Sequence, residues 1–90
     1  MKTIHKYDIG GLLFHGYRTS INVPGGAEVL DIQMQNDSVC MWALVDPEEN
    51  SVMWDIEVTG TGMELHTAEH KYLATIQQGT YVWHIFRTWT

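Results

Sequence analysis

Cysteine is nearly absent: Cys40 is the only one in 90 residues. A single thiol closes no internal disulfide, so the covalent scaffold of small secreted domains is excluded. Its position in an apolar run marks it as a reduced, buried side chain rather than a nucleophile, which would need a histidine beside it. Positive charge is scarce too, with five Lys and Arg against eleven Asp and Glu and a formal net charge of −6. Non-specific DNA or RNA binding needs a cationic surface to displace counterions, so that class is set aside. One small anionic ligand held by two or three local cations is not excluded. No apolar run approaches the ~18 residues of a membrane span, and Met1–Tyr7 lacks the apolar core of a signal peptide. The chain is therefore expected to be soluble and to remain where it is made.

What is present is alternation of apolar and polar residues with period two, broken by turn residues, over one domain spanning 1–90. Thr3–Ile9 and Thr19–Val23 read as strands, the second stopped by Pro24-Gly25-Gly26. In Glu28–Gln35, Leu30, Ile32 and Met34 point one way and Asp31, Gln33 and Gln35 the other. Asn36-Asp37-Ser38 turns the chain into Val39–Val45, which is apolar on both faces and belongs in the middle of a sheet. Asp46–Asn50 is a polar turn. Ser51–Thr59 alternates with Val52, Trp54, Ile56 and Val58 inward and Asp55 and Glu57 outward. Gly60-Thr61-Gly62 is a break, and Met63–His70 is the one place for a short helix. Tyr72–Gln77 and Tyr81–Trp89 form a last hairpin around Gln78-Gly79-Thr80. The expected fold is all-β, mainly antiparallel, with six to seven strands in a compact sandwich or barrel.

Several stretches resemble an uncharacterised family of small bacteriophage and prophage proteins. They are Met1-Lys2-Thr3-Ile4 with Lys6-Tyr7, Gly26–Leu30, Gln33–Asn36, Cys40-Met41-Trp42-Ala43-Leu44-Val45-Asp46-Pro47, Gly60–Gly62 and Val82-Trp83-His84-Ile85-Phe86. The Trp-Ala-Leu-Val-Asp-Pro run is the most specific. Gly10–Arg18 is longer than the family's usual connection, and Arg87–Thr90 runs past its usual end. The resemblance implies a phage-encoded product acting in the cytoplasm of a bacterial host. It brings no catalytic residues.

Chemistry-bearing patterns are few. His66 and His70, with Glu69 between, would share one face of a helical turn in zinc-binding style, but no third and fourth ligand accompany them. Gly60-Thr61-Gly62 lacks the Gly-Lys-Ser/Thr of a phosphate loop. Asp55 and Glu57 read as a wet strand face rather than a glycosidase pair, and no serine sits in a nucleophile elbow. No catalytic residue, cofactor or metal is expected, and the chain is not read as an enzyme.

The aromatics are more informative. Trp42, Trp54, Trp83 and Trp89 are spread over three expected strands, and two strands are apolar on both faces. A two-layer domain has one interior, so the spare face needs a cover: the Leu12-Leu13-Phe14 loop or, the favoured expectation, a second copy in a homo-oligomer. The favoured function is non-enzymatic sequestration of a small host nucleotide-type signal, as an anti-defence protein. Tyr17 and Trp83 would stack on the base, and Arg18, His84 or Arg87 would meet the phosphate. The alternatives are an inhibitor docking on a host protein, with Asp46, Glu48 and Glu49 as rim charges, and a structural or accessory phage component.

Overall fold

The alternation resolves into seven antiparallel strands in two stacked sheets. The computed structural model describes residues 1–11, 17–66 and 69–89. In chain order the strands are β1 (Thr3–Gly11), β2 (Tyr17–Pro24), β3 (Glu28–Gln35), β4 (Ser38–Val45), β5 (Ser51–Gly60), β6 (Glu69–Gln78) and β7 (Tyr81–Trp89). One sheet has the order β1-β4-β3 and the other β2-β5-β7-β6.

The doubly apolar segments take the inner positions. β4 lies between β1 and β3, and its Val39, Met41, Ala43 and Val45 are buried against the opposite sheet. β5 and β7 are central in the four-stranded sheet and supply Trp54, Ile56, Val58, Trp83 and Ile85 to the same core. Burying side chains of that size stabilises by about 1.5–3 kcal/mol each. The two-residue β3–β4 connection is closed by the Gln35–Ser38 pair, with Asn36 and Asp37 both at positive φ (51° and 65°). That backbone is a hairpin turn whose twist matches the flanking strands.

Three expectations are corrected. Among the described residues there is no helix, and 63–66 and 69–70 are turn, irregular backbone and strand. There the Met63 N–H closes a turn on the Gly60 carbonyl, the His66 N–H goes to the Glu57 side chain, and Glu69 and His70 join the β6–β7 ladder. Leu30 does not share a face with Ile32. The β3–β4 register slips between Val29 and Asp31, leaving Leu30 as a bulged, 48% exposed residue. Glu57 does point away from the core with Asp55, yet it is buried rather than wet. The proposed Leu12–Phe14 cover lies outside the described residues.

Candidate functional site

At the seam where β3 meets β6, the two sheets enclose a cavity of about 420 Å³. Its deep wall is built from the inward side of β7 and its neighbours. In register, Arg87 sits between Ile56 of β5 and Lys71 of β6, so an inward strand position carries a guanidinium where an apolar side chain would be expected. Two indoles hold it. The Arg87 guanidinium carbon lies 4.3 Å from the Trp54 ring centre and 4.4 Å from that of Trp89. Each such contact contributes on the order of 0.5–2 kcal/mol.

The guanidinium faces are thus occupied, while its nitrogens are not. Arg87 Nε is buried and has no hydrogen-bond partner. Burial pulls the Arg87 pKa below its ordinary value, opposed by the nearby Asp55 charge, but guanidinium remains protonated at neutral pH. Lys71 adds a second cation to the same wall and has no ion-pair partner among the described residues. Across the gap β3 contributes Glu28 and Asp31. The Asp31 carboxylate already accepts from the Ile32 main chain and the Gln33 amide. The cavity therefore offers donors on one side, acceptors on the other and indole at its base.

A second cavity, about 370 Å³, borders the paired ends of β2 and β5. Here Glu57, with only 3% of its side chain exposed, accepts from Arg18 Nε at 3.2 Å and from the main-chain N–H and Nδ1 of His66, both at 3.0 Å. Its charge is matched within the chain. The Thr59 hydroxyl on the same wall is buried without a partner.

The five residues singled out from sequence divide between these places. Tyr17 and Arg18 line the second cavity, and the Tyr17 hydroxyl reaches the Gly10 carbonyl at 3.4 Å. Burial, aided by the Asp8 charge, raises the Tyr17 pKa. Arg87 lines the first cavity. Trp83 is in the core, its Nε1 buried and unpartnered, and borders neither. His84 is on the outer face of the four-stranded sheet, in a chain of hydroxyls. Its Nε2 meets Thr61 Oγ1 at 2.7 Å, its Nδ1 meets Thr75 Oγ1 at 3.0 Å, and Thr75 bonds the Tyr72 hydroxyl at 2.7 Å. The structure thus does not gather all five into one pocket.

Sequence reasoning missed Trp54 and Lys71 as companions of Arg87, and Glu57 with His66. The parity of Arg87 with Ile85 on a strand was the one usable sign of an inward cation. His66 and His70 are not paired: the first is bound to Glu57, and the second packs edge-on against Phe86 at 5.4 Å. Among the described residues no group of three or more His, Cys, Asp or Glu is placed to hold a metal. None of their helices could cross a membrane, since they form none.

Two antiparallel sheets with a cation-bearing cavity at one seam define a small seven-stranded β-sandwich. The chain belongs to the family described as a domain of unknown function (DUF7352), whose model matches residues 1–90. No curated protein and no solved structure matches it.

Proposed function

We propose that this protein is a non-catalytic binding protein that holds a small anionic, ring-bearing molecule of nucleotide type in the cavity between β3 and β6. The observation that carries the reading is Arg87, held between Trp54 and Trp89 on the cavity wall with a buried nitrogen lacking any partner. A folded chain that only needed to fill this space would be served by an apolar side chain. A guanidinium locked by stacking is preorganised to donate in its own plane to a phosphate. Lys71 supplies a second charge, the Trp54 indole and the Leu73 side of the wall offer apolar surface, and Glu28 and Asp31 offer acceptors for amino or hydroxyl groups. The volume falls within the roughly 300–1,000 Å³ of small-molecule sites.

In the cell the reading is sequestration of a nucleotide-type signal, in the cytoplasm of a bacterial host, by a phage-encoded anti-defence protein. Its support is the resemblance of the Trp42–Pro47 and Val82–Phe86 stretches to small phage and prophage proteins.

Titration calorimetry with AMP, ADP-ribose, a cyclic dinucleotide, adenosine and inorganic phosphate tests the reading. At least one nucleotide should bind, more tightly than adenosine or phosphate alone. The Arg87→Gln variant, with its melting transition retained, should lose about tenfold or more in affinity, as for a buried charge-assisted contact. Absence of heat with every nucleotide, or unchanged binding in Arg87→Gln, overturns it.

A further inference from the structure

The two outer sheet faces differ in how completely their groups are matched. On the four-stranded sheet, Arg18 pairs with Glu57, Ser20 donates to Asp55 at 2.8 Å, and His84 is bonded through both nitrogens. On the outer face of the three-stranded sheet the bonds are local: Asp31 accepts from the Ile32 main chain and the Gln33 amide, and Asp8 from the Gly10 main chain, with no ion pair across the strands among the described residues. Register places three rows across it: Ile4–Leu44–Glu28, Lys6–Trp42–Asp31 and Asp8–Cys40–Gln33. Its middle column is apolar, with Trp42 and Leu44 partly exposed and Ile4 beside them 57% exposed. The β1 column carries an unmatched cation. Lys6 lies 6.0 Å from the Trp42 ring centre and has no carboxylate partner among the described residues. The β3 column carries Glu28 and Asp31.

We propose that this face binds a second copy of the chain about a two-fold axis running along β4. Such an axis exchanges the columns while preserving position along the strands. Lys6 then faces the other copy's Asp31, Asp8 faces its Gln33 amide, Trp42 packs against its own counterpart, and Ile4 meets its Glu28 at the end of the face. Both polar pairs occur twice by symmetry. The alternative axis, running across the strands, sets Lys6 against Lys6 and Asp31 against Asp31, and like charges in apposition are excluded energetically. The charge pattern therefore selects both the partner and the orientation. Aligned sheets pack about 10 Å apart, a gap that two facing indoles fill.

The face measures roughly 26 Å by 14 Å from strand rise and spacing. That is well under the ~800 Å² per partner of a standard stable interface. The dimer is accordingly transient, in rapid exchange with monomer at micromolar concentrations. Glu28 and Asp31 belong both to this face and to the rim of the β3–β6 cavity, and the dimer stands whether or not that cavity takes a ligand.

Sedimentation velocity of the full chain, from micromolar to submillimolar concentration, tests the proposal. The mass should rise toward two copies, with dimerisation weakened by added salt. Lys6→Glu and Asp31→Lys should each weaken it by about tenfold through like-charge contact. An equimolar mixture of the two variants should recover it, because the charges then oppose correctly across a mixed pair. Trp42→Gln, which keeps both charges, should also lose the dimer. Monomer at every concentration overturns the proposal, as does a dimer indifferent to Lys6→Glu and Trp42→Gln. Two folded single variants whose mixture stays monomeric overturn the axis.

Discussion

His66 grips one oxygen of Glu57 twice, through its main-chain N–H and through Nδ1, each 3.0 Å from Oε2. A carboxylate only accepts, so Nδ1 carries the proton in this contact. Burial pushes the Glu57 carboxyl pKa up. The His66 main-chain N–H, its ring and the Arg18 charge outweigh that push and hold it below its usual 4.5. The folded state therefore takes up this proton less readily than the unfolded chain. The resulting stabilisation is complete above pH 4.5 and fades as pH falls through the lower folded value. Glu57→Gln should lower stability at neutral pH by about 1–3 kcal/mol, because buried donors lose a charged acceptor. It should also flatten part of the loss of melting temperature in acid. Melting curves over a pH series check both; an acid slope unchanged by the substitution would show that Glu57 is not the group responsible.

The turn after β5 is pinned at both ends, by Thr61 on His84 and by His66 on Glu57. Between these anchors Met63 and Glu64 are exposed. Local opening needs only the anchors to release, not the sandwich to unfold. Thr61→Val combined with Glu57→Gln should therefore admit thermolysin ahead of Met63 or Leu65 faster than either single change. Mass spectrometry of early fragments reads this directly. Equal cleavage rates in the wild-type and doubly changed chains would refute the pinning.

Strand positions were legible because alternation reports one-sided burial, and β3 and β7 begin and end where the pattern says. It failed where a contact distant in sequence decided the outcome. Leu30 has the parity of a core residue, but a bulge against β4 turns it out. Glu57 has the parity of a wet residue, but the main chain at His66 folds over it. Met63–His70 looked helical because nothing local opposed it, while β7 recruits Glu69 and His70 as edge-strand partners. Tyr17, Arg18 and Arg87 do border cavities, though not the same one. Which cations share a wall depends on cross-strand register, and spacing along the chain does not contain it.

The β3–β4 turn holds Asn36 and Asp37 at positive φ. Asn tolerates this region, whereas the second position of such a turn favours glycine, which has no Cβ to clash. Asp37→Gly should raise stability by about 0.5–1 kcal/mol. That corresponds to roughly 2–8 °C in a domain of this size. Calorimetric melting checks the sign. A lower transition would mean that the Asp37 side chain makes a contact stronger than the strain it bears.

Arg87 is well placed for binding and poorly placed for stability. Its Nε is buried without a partner, a penalty of about 1–3 kcal/mol, while its two indole contacts return a similar amount. Methionine is flexible and apolar, fills much the same volume and can lie between the same rings. Arg87→Met should consequently change unfolding free energy by less than about 1.5 kcal/mol in urea melts. Nucleotide affinity should fall far more steeply than stability. A residue that contributes little net stability at an inward strand position is the pattern expected where function, rather than packing, determines the side chain. Large destabilisation by Arg87→Met would instead make the Trp54–Arg87–Trp89 stack a structural clamp, and the case for the cavity would lose its main support.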